Sequence, residues 1–461
     1  MSRFKRVFIG DRGFYRQVTA IVVPVIIQNS VTNFVNLLDN IMVGQLGTAH
    51  VSGVAIANQL VFIFNLLIFG ALSGPGIFGA QFFGARNLDG FRDTFRLKLW
   101  FSGIIFVSYL IAVISFHDSL IRLYLQGEGE PALAEAILSQ GREYILWMLP
   151  GMLPFAISMS YASTLREAGE TMLPMKAGVA AVLTNLMFNY LLIFGYFGFP
   201  AWGVMGAAVA TGLSRFVELA IILLAVHGKQ RFPYMRGVYQ RMKVPGQLIK
   251  LVFKHGAPLM INEALWSLAI TTLNQIYSMR ALYVLAAVSI ASTVSNLFNV
   301  FFLSIGNAVA VMVGQALGAG DMPKARVTAW RLLFLAVAMC LVIGAVMAAF
   351  SPFFPRLYNT EETVRRLVTG IILVSSAVMP FSAISHTAYY ILRSGGSTMI
   401  TFLFDAVFNW AVMVPFACFL VKGTALPILP LYAISQSAQI LKSLIGVLLV
   451  RYGRWENNIV A

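Results

Sequence analysis

The chain has 461 residues, of which 59% are hydrophobic and only 11% are charged, and its mean hydropathy is +0.79. Soluble globular proteins are nearer half apolar and a quarter charged, so this composition excludes a soluble enzyme or a soluble binding module. The low charged fraction and the 36 phenylalanines also exclude an intrinsically disordered chain. A polytopic helical membrane protein remains, because a transmembrane β-barrel would show short alternating strands instead of long apolar runs.

Long runs without Asp, Glu, Lys or Arg follow one another along the chain. A helix that crosses the membrane needs about 20 apolar residues, so runs of about 40 residues must contain either two spans or one long span and a turn. Glycine- and proline-rich breaks at 44–47 and 195–200 mark two of these turns. Twelve membrane-spanning helices are predicted, at 17–43, 51–83, 97–117, 141–165, 172–195, 202–227, 249–279, 284–317, 328–351, 366–392, 398–421 and 428–450.

The net charge of +15 follows the predicted topology. With the N-terminus inside, the segments that would face the cytoplasm hold 24 Lys and Arg residues, whereas the outer segments hold seven. An excess of basic residues on one side is the positive-inside pattern of membrane proteins. It predicts that both termini are cytoplasmic and that the partner of this basic chain is the lipid bilayer, with no nucleic acid.

The second half of the sequence repeats the first with an offset of 234 residues. Pro24 pairs with Pro258, and the segment around Gln81 and Gly84 pairs with the segment around Gln315. Each copy contains six predicted spans, so both copies enter the membrane from the same side. The fold predicted from this repeat is all-α, with two six-helix lobes related by a pseudo-twofold axis along the membrane normal.

These lobes are predicted at residues 1–228, with spans 1–6, and at residues 249–461, with spans 7–12. A basic cytoplasmic linker at 229–248 joins them. A site between two such repeats is typical of secondary transporters. An enzyme is not predicted, because no set of residues with convergent catalytic roles can be named. The two cysteines and the scattered histidines indicate neither a disulfide framework nor a metal site.

Asp39 is the most informative charged residue inside a span. A charge at membrane depth is costly and is therefore functional or paired by default. Its own span supplies no cation within a helical turn, and Gln28, Asn33 and Asn36 follow one side of the same helix. Because burial favours the neutral form of a carboxyl group, Asp39 is suited to exchange a proton or a cation. The alternative is a structural carboxylate that only hydrogen-bonds neighbouring helices.

The fifth span supplies a possible partner for Asp39. Asn185 and Asn189 are four residues apart, face one way, and can hydrogen-bond Asp39 if the first and fifth spans meet. Two buried asparagines could equally well have a structural role, in which they only hold neighbouring helices together through hydrogen bonds. Pro24 and Pro258 are expected to bend the first and seventh helices.

Five other charged residues lie inside spans. Arg215 and Glu218 are three residues apart and should neutralise each other, and Lys442 should extend its ammonium group to the membrane surface. Glu263 and Asp405 are expected to face a central cavity and attract cations. With Asp39, the acids outnumber the bases four to two, which favours a cationic substrate.

Four segments, in this order along the chain, resemble the bacterial multidrug and toxic compound extrusion (MATE) transporters. They begin in the first span, follow the second and fourth spans, and open the sixth, at residues 24–47, 79–85, 165–171 and 202–208. The resemblance covers nearly the whole chain. It implies export of organic cations or amphipathic drugs by alternating access, in exchange for protons or sodium ions. It also implies a monomer in the bacterial cytoplasmic (inner) membrane, with no cofactor beside the coupling ion.

The resemblance also carries roles for individual residues. Asp39 matches the first-span aspartate of the family, which is implicated in cation coupling and could bind Na⁺. Asn185 matches the asparagine of an Asn-x-x-x-Asp pattern, but Asn189 stands where the acid would be, which weakens the case for a two-carboxylate sodium site. Glu263 resembles the seventh-span acid of the family only loosely.

Two transporter alternatives remain open at this point. A lipid-linked oligosaccharide flippase of the same superfamily would share the two lobes but would require a larger and more cationic cavity. A major-facilitator transporter also has six plus six spans, but the loop at 84–90 fits the charged loop of that family poorly.

Overall fold

The computed structural model describes residues 8–125, 131–228, 231–358 and 360–461. The start of the predicted N-terminal lobe and the first two residues of the predicted linker lie outside these ranges. Twelve long helices occupy the described residues. They are α1 (Arg12–Gly44), α2 (Thr48–Gly84), α3 (Leu88–Arg122), α4 (Pro131–Glu167), α5 (Met172–Phe194), α6 (Gly203–Gly228), α7 (Gly246–Ser278), α8 (Leu282–Gly318), α9 (Met322–Phe350), α10 (Glu362–Ser394), α11 (Thr398–Gly423) and α12 (Ile428–Tyr452).

Eleven of the twelve helices are long and apolar enough to cross a membrane. The helix α7 is 33 residues long but falls outside this group, because polar side chains such as Lys250, Lys254 and Glu263 lower its hydropathy. The predicted all-helical membrane protein is therefore confirmed, whereas its twelfth span stays a prediction. Most helices extend beyond their predicted spans, since helical hydrogen bonding continues past the apolar stretch into charged end turns such as Asp89 and Arg92 of α3.

The chain forms two compact units. The N-terminal unit comprises Ile27–Gly79 and Leu88–Lys250. The C-terminal unit comprises Leu251–Ala461 together with two segments from early in the chain, Met1–Ile26 and Ala80–Asn87. Two early helices thus contribute to both units, with the division of α1 falling two residues after Pro24. The lobe boundaries at 228 and 249 stay a prediction, since two segments of the predicted N-terminal lobe belong to the C-terminal unit.

The core of the N-terminal unit is built where α4 packs along α3 and α6 and where α5 packs along α6. Fully buried apolar side chains fill this core, including Phe64, Ile68, Ile145 and Ala208. In the C-terminal unit, α10 packs along α8, α9 and α12, and Ile305, Leu332 and Ile391 are fully buried. Small residues line these contacts, as expected for helices whose backbones approach closely in a membrane.

The two repeated glycine motifs meet within the C-terminal unit. Gly84 ends α2 and lies against the backbone carbonyl of Gln315 on α8, whereas Gly318 ends α8 and lies against the carbonyl of Gln81 on α2. A methyl group on either glycine would overlap the facing backbone. Gly84 and Gly318 are equivalent positions in the repeat, and each contacts the helix that the other one ends.

The last residues of the chain cover this crossing. Gln81 is fully buried, donates to the carbonyls of Ser394 (2.9 Å) and Asn457 (3.1 Å), and accepts from the backbone N–H of Ile459 (2.9 Å). Trp455 is 1% exposed and donates to the carbonyl of Val450 (2.8 Å). The C-terminal segment is therefore an ordered part of the C-terminal unit.

A buried ion pair joins α3 to α4 in the N-terminal unit. Lys98 is fully buried, and its ammonium lies 2.6 Å and 2.7 Å from the two carboxylate oxygens of Glu167 and 2.9 Å from Thr164. Ser163 also donates to Glu167 (2.7 Å), and Gly79 on α2 leaves the space that this carboxylate fills. Lys98 is one of the basic residues counted on the cytoplasmic side, and its partner could not be predicted because Glu167 lies 69 residues away on another helix.

We expect Lys98→Met to lower the thermal stability of the purified protein sharply. Removing one member of a buried pair leaves the other charge without its counter-ion and costs about 3–5 kcal/mol. The double variant Lys98→Met, Glu167→Gln should recover most of this loss, because it removes both charges. Unfolding temperatures in detergent provide the measurement, with Lys176→Met, an exposed lysine, as the matched control. A double variant that is no more stable than Lys98→Met would contradict the assignment.

Candidate functional site

Asp39 lies half-buried near the end of α1, where α1 meets α5. The side-chain amide of Asn189 donates to Asp39 Oδ1 at 2.6 Å, so the predicted hydrogen bond between the first and fifth spans is present. Asn189 is 1% exposed. Because Asn189 lies one helical turn after Asn185, both asparagines project toward α1 from the same face of α5.

Asn185 completes the hydrogen-bonding environment of Asp39. In the amide orientation that satisfies its neighbours, Asn185 donates to Asp39 Oδ2 at 2.8 Å and accepts from the hydroxyl of Thr211 on α6 at 3.1 Å. Both carboxylate oxygens of Asp39 are therefore held by neutral amides.

This arrangement offers oxygen atoms to a small cation or a proton. The side-chain oxygen of Asn189 is buried and has no hydrogen-bond partner in the described part of the chain. Together with the Asp39 carboxylate, it provides hard oxygen ligands of the kind that alkali and alkaline-earth cations prefer. No group of three His, Cys, Asp or Glu side chains that could hold a metal ion occurs among the residues that the structure describes.

A positively charged side chain on another helix also influences Asp39. Arg215 on α6 acts electrostatically on Asp39, and its guanidinium also lies 4.8 Å from the centre of the Phe155 ring. Arg215 is 3.4 Å from Glu218, so the predicted pairing of these two charges is confirmed. The cation that acts on Asp39 is thus already partly neutralised by Glu218.

The polar residues predicted beside Asp39 on α1 occupy different environments. Gln28 is half-buried and packs against Gly178 of α5, which has no side chain to exclude it. Asn33 is also half-buried, whereas Asn36 is exposed. The described hydrogen bonds to Asp39 come from α5, so the role of these three residues in a substrate cavity stays a prediction.

A second polar cluster lies in the C-terminal unit. The ammonium of Lys442 on α12 lies 2.6 Å from Asp405 Oδ1 on α11, and Asn262 on α7 donates to Asp405 Oδ2 at 2.9 Å. Lys442 also donates to Asn409 Oδ1 at 3.1 Å and is only 5% exposed. The expectation that Lys442 extends to the membrane surface is wrong, because Asp405 neutralises its charge within the protein.

The backbone of α11 is adapted to this cluster. Leu403–Val407 and Asn409–Met413 are π-helical, and Asn262 Oδ1 accepts from the backbone N–H of Ala406 at 3.1 Å. Such wide turns displace backbone groups from the regular α-helical pattern and often occur at functional sites. Asp405 and Asn409 therefore share one face of α11.

Glu263 neighbours this cluster but has its own partner. The hydroxyl of Tyr389 on α10 donates to Glu263 at 2.9 Å, and Arg393, one turn further along α10, acts electrostatically on the same carboxyl group. The contribution of Glu263 to a substrate cavity stays a prediction. Pro24 and Pro258 lie inside the continuous helices α1 and α7, and their bending role also stays a prediction.

Several residues of the C-terminal cluster could not be predicted from the sequence. Asn262, Tyr389 and Asn409 are uncharged, and nothing in their local sequence distinguishes them from other polar residues in spans. One signal was available for Asn262, because it is the repeat equivalent of Gln28. Only the packing of α7, α10 and α11 brings them together.

Comparison with known proteins identifies the family. The profile of the MatE family matches residues 24–191 and 258–419, and the two matches begin at Pro24 and Pro258, which the repeat also pairs. A probable multidrug resistance protein NorM from Thermotoga maritima is 25% identical over 452 residues, which cover 96% of this chain and 94% of that protein.

Solved structures share the fold. An outward-facing multidrug resistance MATE family transporter of the MOP superfamily is 21% identical, with a TM-score of 0.86 and 98% of each chain covered. A MOP superfamily transporter from Pyrococcus furiosus, described as having a binding pocket of reverse polarity that suggests a different function, is 20% identical. Its TM-score is 0.83, with 98% of this chain and 97% of that chain covered. Because the family profile covers more than half of its residues, the chain belongs to the MatE (MATE) family, whose members are membrane transporters and not enzymes.

Proposed function

We propose that this protein is a multidrug efflux antiporter that exports cationic or amphipathic organic compounds in exchange for protons or sodium ions. The observation that carries the proposal is Asp39, a half-buried carboxyl group held by Asn189 and Asn185. The relatives named as multidrug resistance proteins support the substrate class.

The exchange works through competition for the Asp39 carboxylate. In the outward state Asp39 takes up a proton or a sodium ion, and the loss of its free charge releases a cationic substrate. Neutralisation also changes the packing of α1, and Pro24 provides a point where the helix can bend. The cycle requires that ion and substrate differ in affinity between the outward and inward states, because only a difference in affinity shifts a conformational equilibrium.

Alternating access between two six-helix lobes is the proposed conformational cycle. The reciprocal contact of Gly84 and Gly318 supports a pseudo-twofold relation between the repeats. The two lobes, joined by the linker at 229–248, would open alternately to either side around a cavity to which Gln28, Asn33, Asn36, Glu263 and Asp405 contribute. We further propose a monomer in the bacterial inner membrane with both termini cytoplasmic, as the positive-inside pattern favours.

Transport of ethidium by vesicles that contain the purified protein tests this function. A pH gradient and a sodium gradient are imposed separately, with vesicles lacking protein as the control. We expect export in response to at least one gradient, and the gradient that drives it identifies the coupling ion. No response to either gradient would contradict antiport and favour the flippase.

A further inference from the structure

The ammonium group of Lys442 occupies a pocket of oxygen atoms and aromatic rings in the C-terminal unit. It lies 2.6 Å from Asp405 Oδ1 and 3.1 Å from Asn409 Oδ1. The rings of Phe404 and Phe408 have their centres 5.8 Å from the same nitrogen, a distance at which ring faces attract cations. The surroundings of this nitrogen therefore resemble those of a bound monovalent cation.

The carboxylate ligand, Asp405, is held in place without any help from Lys442. Asn262 donates to the second oxygen of Asp405 (2.9 Å) and is itself anchored by the backbone N–H of Ala406 (3.1 Å). Asn262 is 1% exposed and Asn409 is 5% exposed. Since Asn262 takes Oδ2, Asp405 presents Oδ1 to the cation.

The two units differ in which side chains contact their half-buried carboxylate. Asp39 is held by the neutral amides of Asn185 and Asn189, so it can exchange a proton or a free cation. Asp405 is neutralised by a lysine that is covalently attached to α12. Because the ammonium group belongs to the Lys442 side chain, a cation from solution cannot replace it while it is bound to Asp405.

We propose that Lys442 is an internal cation that fills a cation site in the C-terminal unit. The cation that Asp405 attracts is thus part of the chain, and ion exchange is left to Asp39. The inference rests on the proposed antiport for its role in the transport cycle. The competing explanation is an ion pair that only stabilises the fold, and it predicts no cation binding when the lysine is removed.

Binding of ²²Na⁺ to purified protein separates the two explanations. All variants carry Asp39→Asn, which removes exchange at the first site. We expect no saturable binding with Lys442 present, and saturable binding once Lys442→Ser is added, because the shortened side chain leaves Asp405 and Asn409 facing a space for the ion. Adding Asp405→Asn should abolish it again. Lys422→Ser, at an exposed lysine on α11, is the matched control and should bind no Na⁺.

The proposal is overturned if the Lys442→Ser protein is folded and binds no more Na⁺ than its parent, or if Asp405→Asn leaves the new binding intact. Should Lys442→Ser destabilise the protein, purification in NaCl is compared with purification in choline chloride. Recovery in NaCl alone supports the proposal, whereas recovery in neither salt contradicts it, because sodium should replace the lost ammonium. These measurements require no transport, so failure of antiport in vesicles would be seen separately.

Discussion

Asp39→Asn is expected to abolish ion-driven ethidium export, lowering it to the level of vesicles without protein. The amide preserves the shape of the side chain and can still accept from Asn189, but it can neither take up a proton nor neutralise a cation. Substrate and ion would then lose the carboxylate for which they compete. Initial export rates under imposed pH and sodium gradients provide the measurement.

Two controls make this result specific. Asp89→Asn, at an aspartate whose side chain is 91% exposed, should leave export unchanged. The unfolding temperature of Asp39→Asn should stay close to that of the parent protein, since the variant retains a polar side chain of the same size. Unchanged ion-driven export by a folded Asp39→Asn protein would refute the role of Asp39.

Gly84→Ala and Gly318→Ala are each expected to cause a large loss of folded protein. Each new methyl group would overlap a backbone carbonyl of the facing helix, at Gln315 or Gln81, and backbone atoms cannot move aside as a flexible side chain can. Overpacking of this kind costs about 1–3 kcal/mol even where side chains adjust. Yield and unfolding temperature in detergent measure the effect.

Gly44→Ala is the matched control, because Gly44 also ends a helix but has no atom within 4 Å of an added methyl group. It should be neutral or slightly stabilising, since alanine is the better helix former. If Gly84→Ala and Gly318→Ala behave like Gly44→Ala, the close crossing of α2 and α8 is not required for stability. A large effect at one glycine alone would argue against a reciprocal contact.

The helices could be predicted well because the membrane restricts the chain so strongly. Backbone groups in the bilayer must be satisfied within the helix, so an apolar run of sufficient length has one solution. The fifth span, predicted at 172–195, is found at Met172–Phe194. The third span, predicted at 97–117, extends to Leu88–Arg122, since hydropathy marks the membrane-embedded portion and not the end of the hydrogen-bonded helix.

The partners of buried charges could be predicted only where they are close in sequence. Arg215 and Glu218 are three residues apart, so helical geometry alone pairs them. Lys442 and Asp405 lie on different helices, and so do Lys98 and Glu167. Nothing in the local sequence indicates which distant helix will supply the counter-ion.

A helical membrane protein with an internal repeat could be recognised without coordinates, because apolar run length, charge placement and motif order are properties of the linear chain. The sequence also indicated Asp39, since a lone carboxylate in an uncharged span is costly wherever the helix packs. Which carboxylates are paired depends on contacts between helices that are distant in sequence. An unpaired charge is destabilising when it is buried. Only the packing of the helices determines that amides contact Asp39 whereas a lysine contacts Asp405.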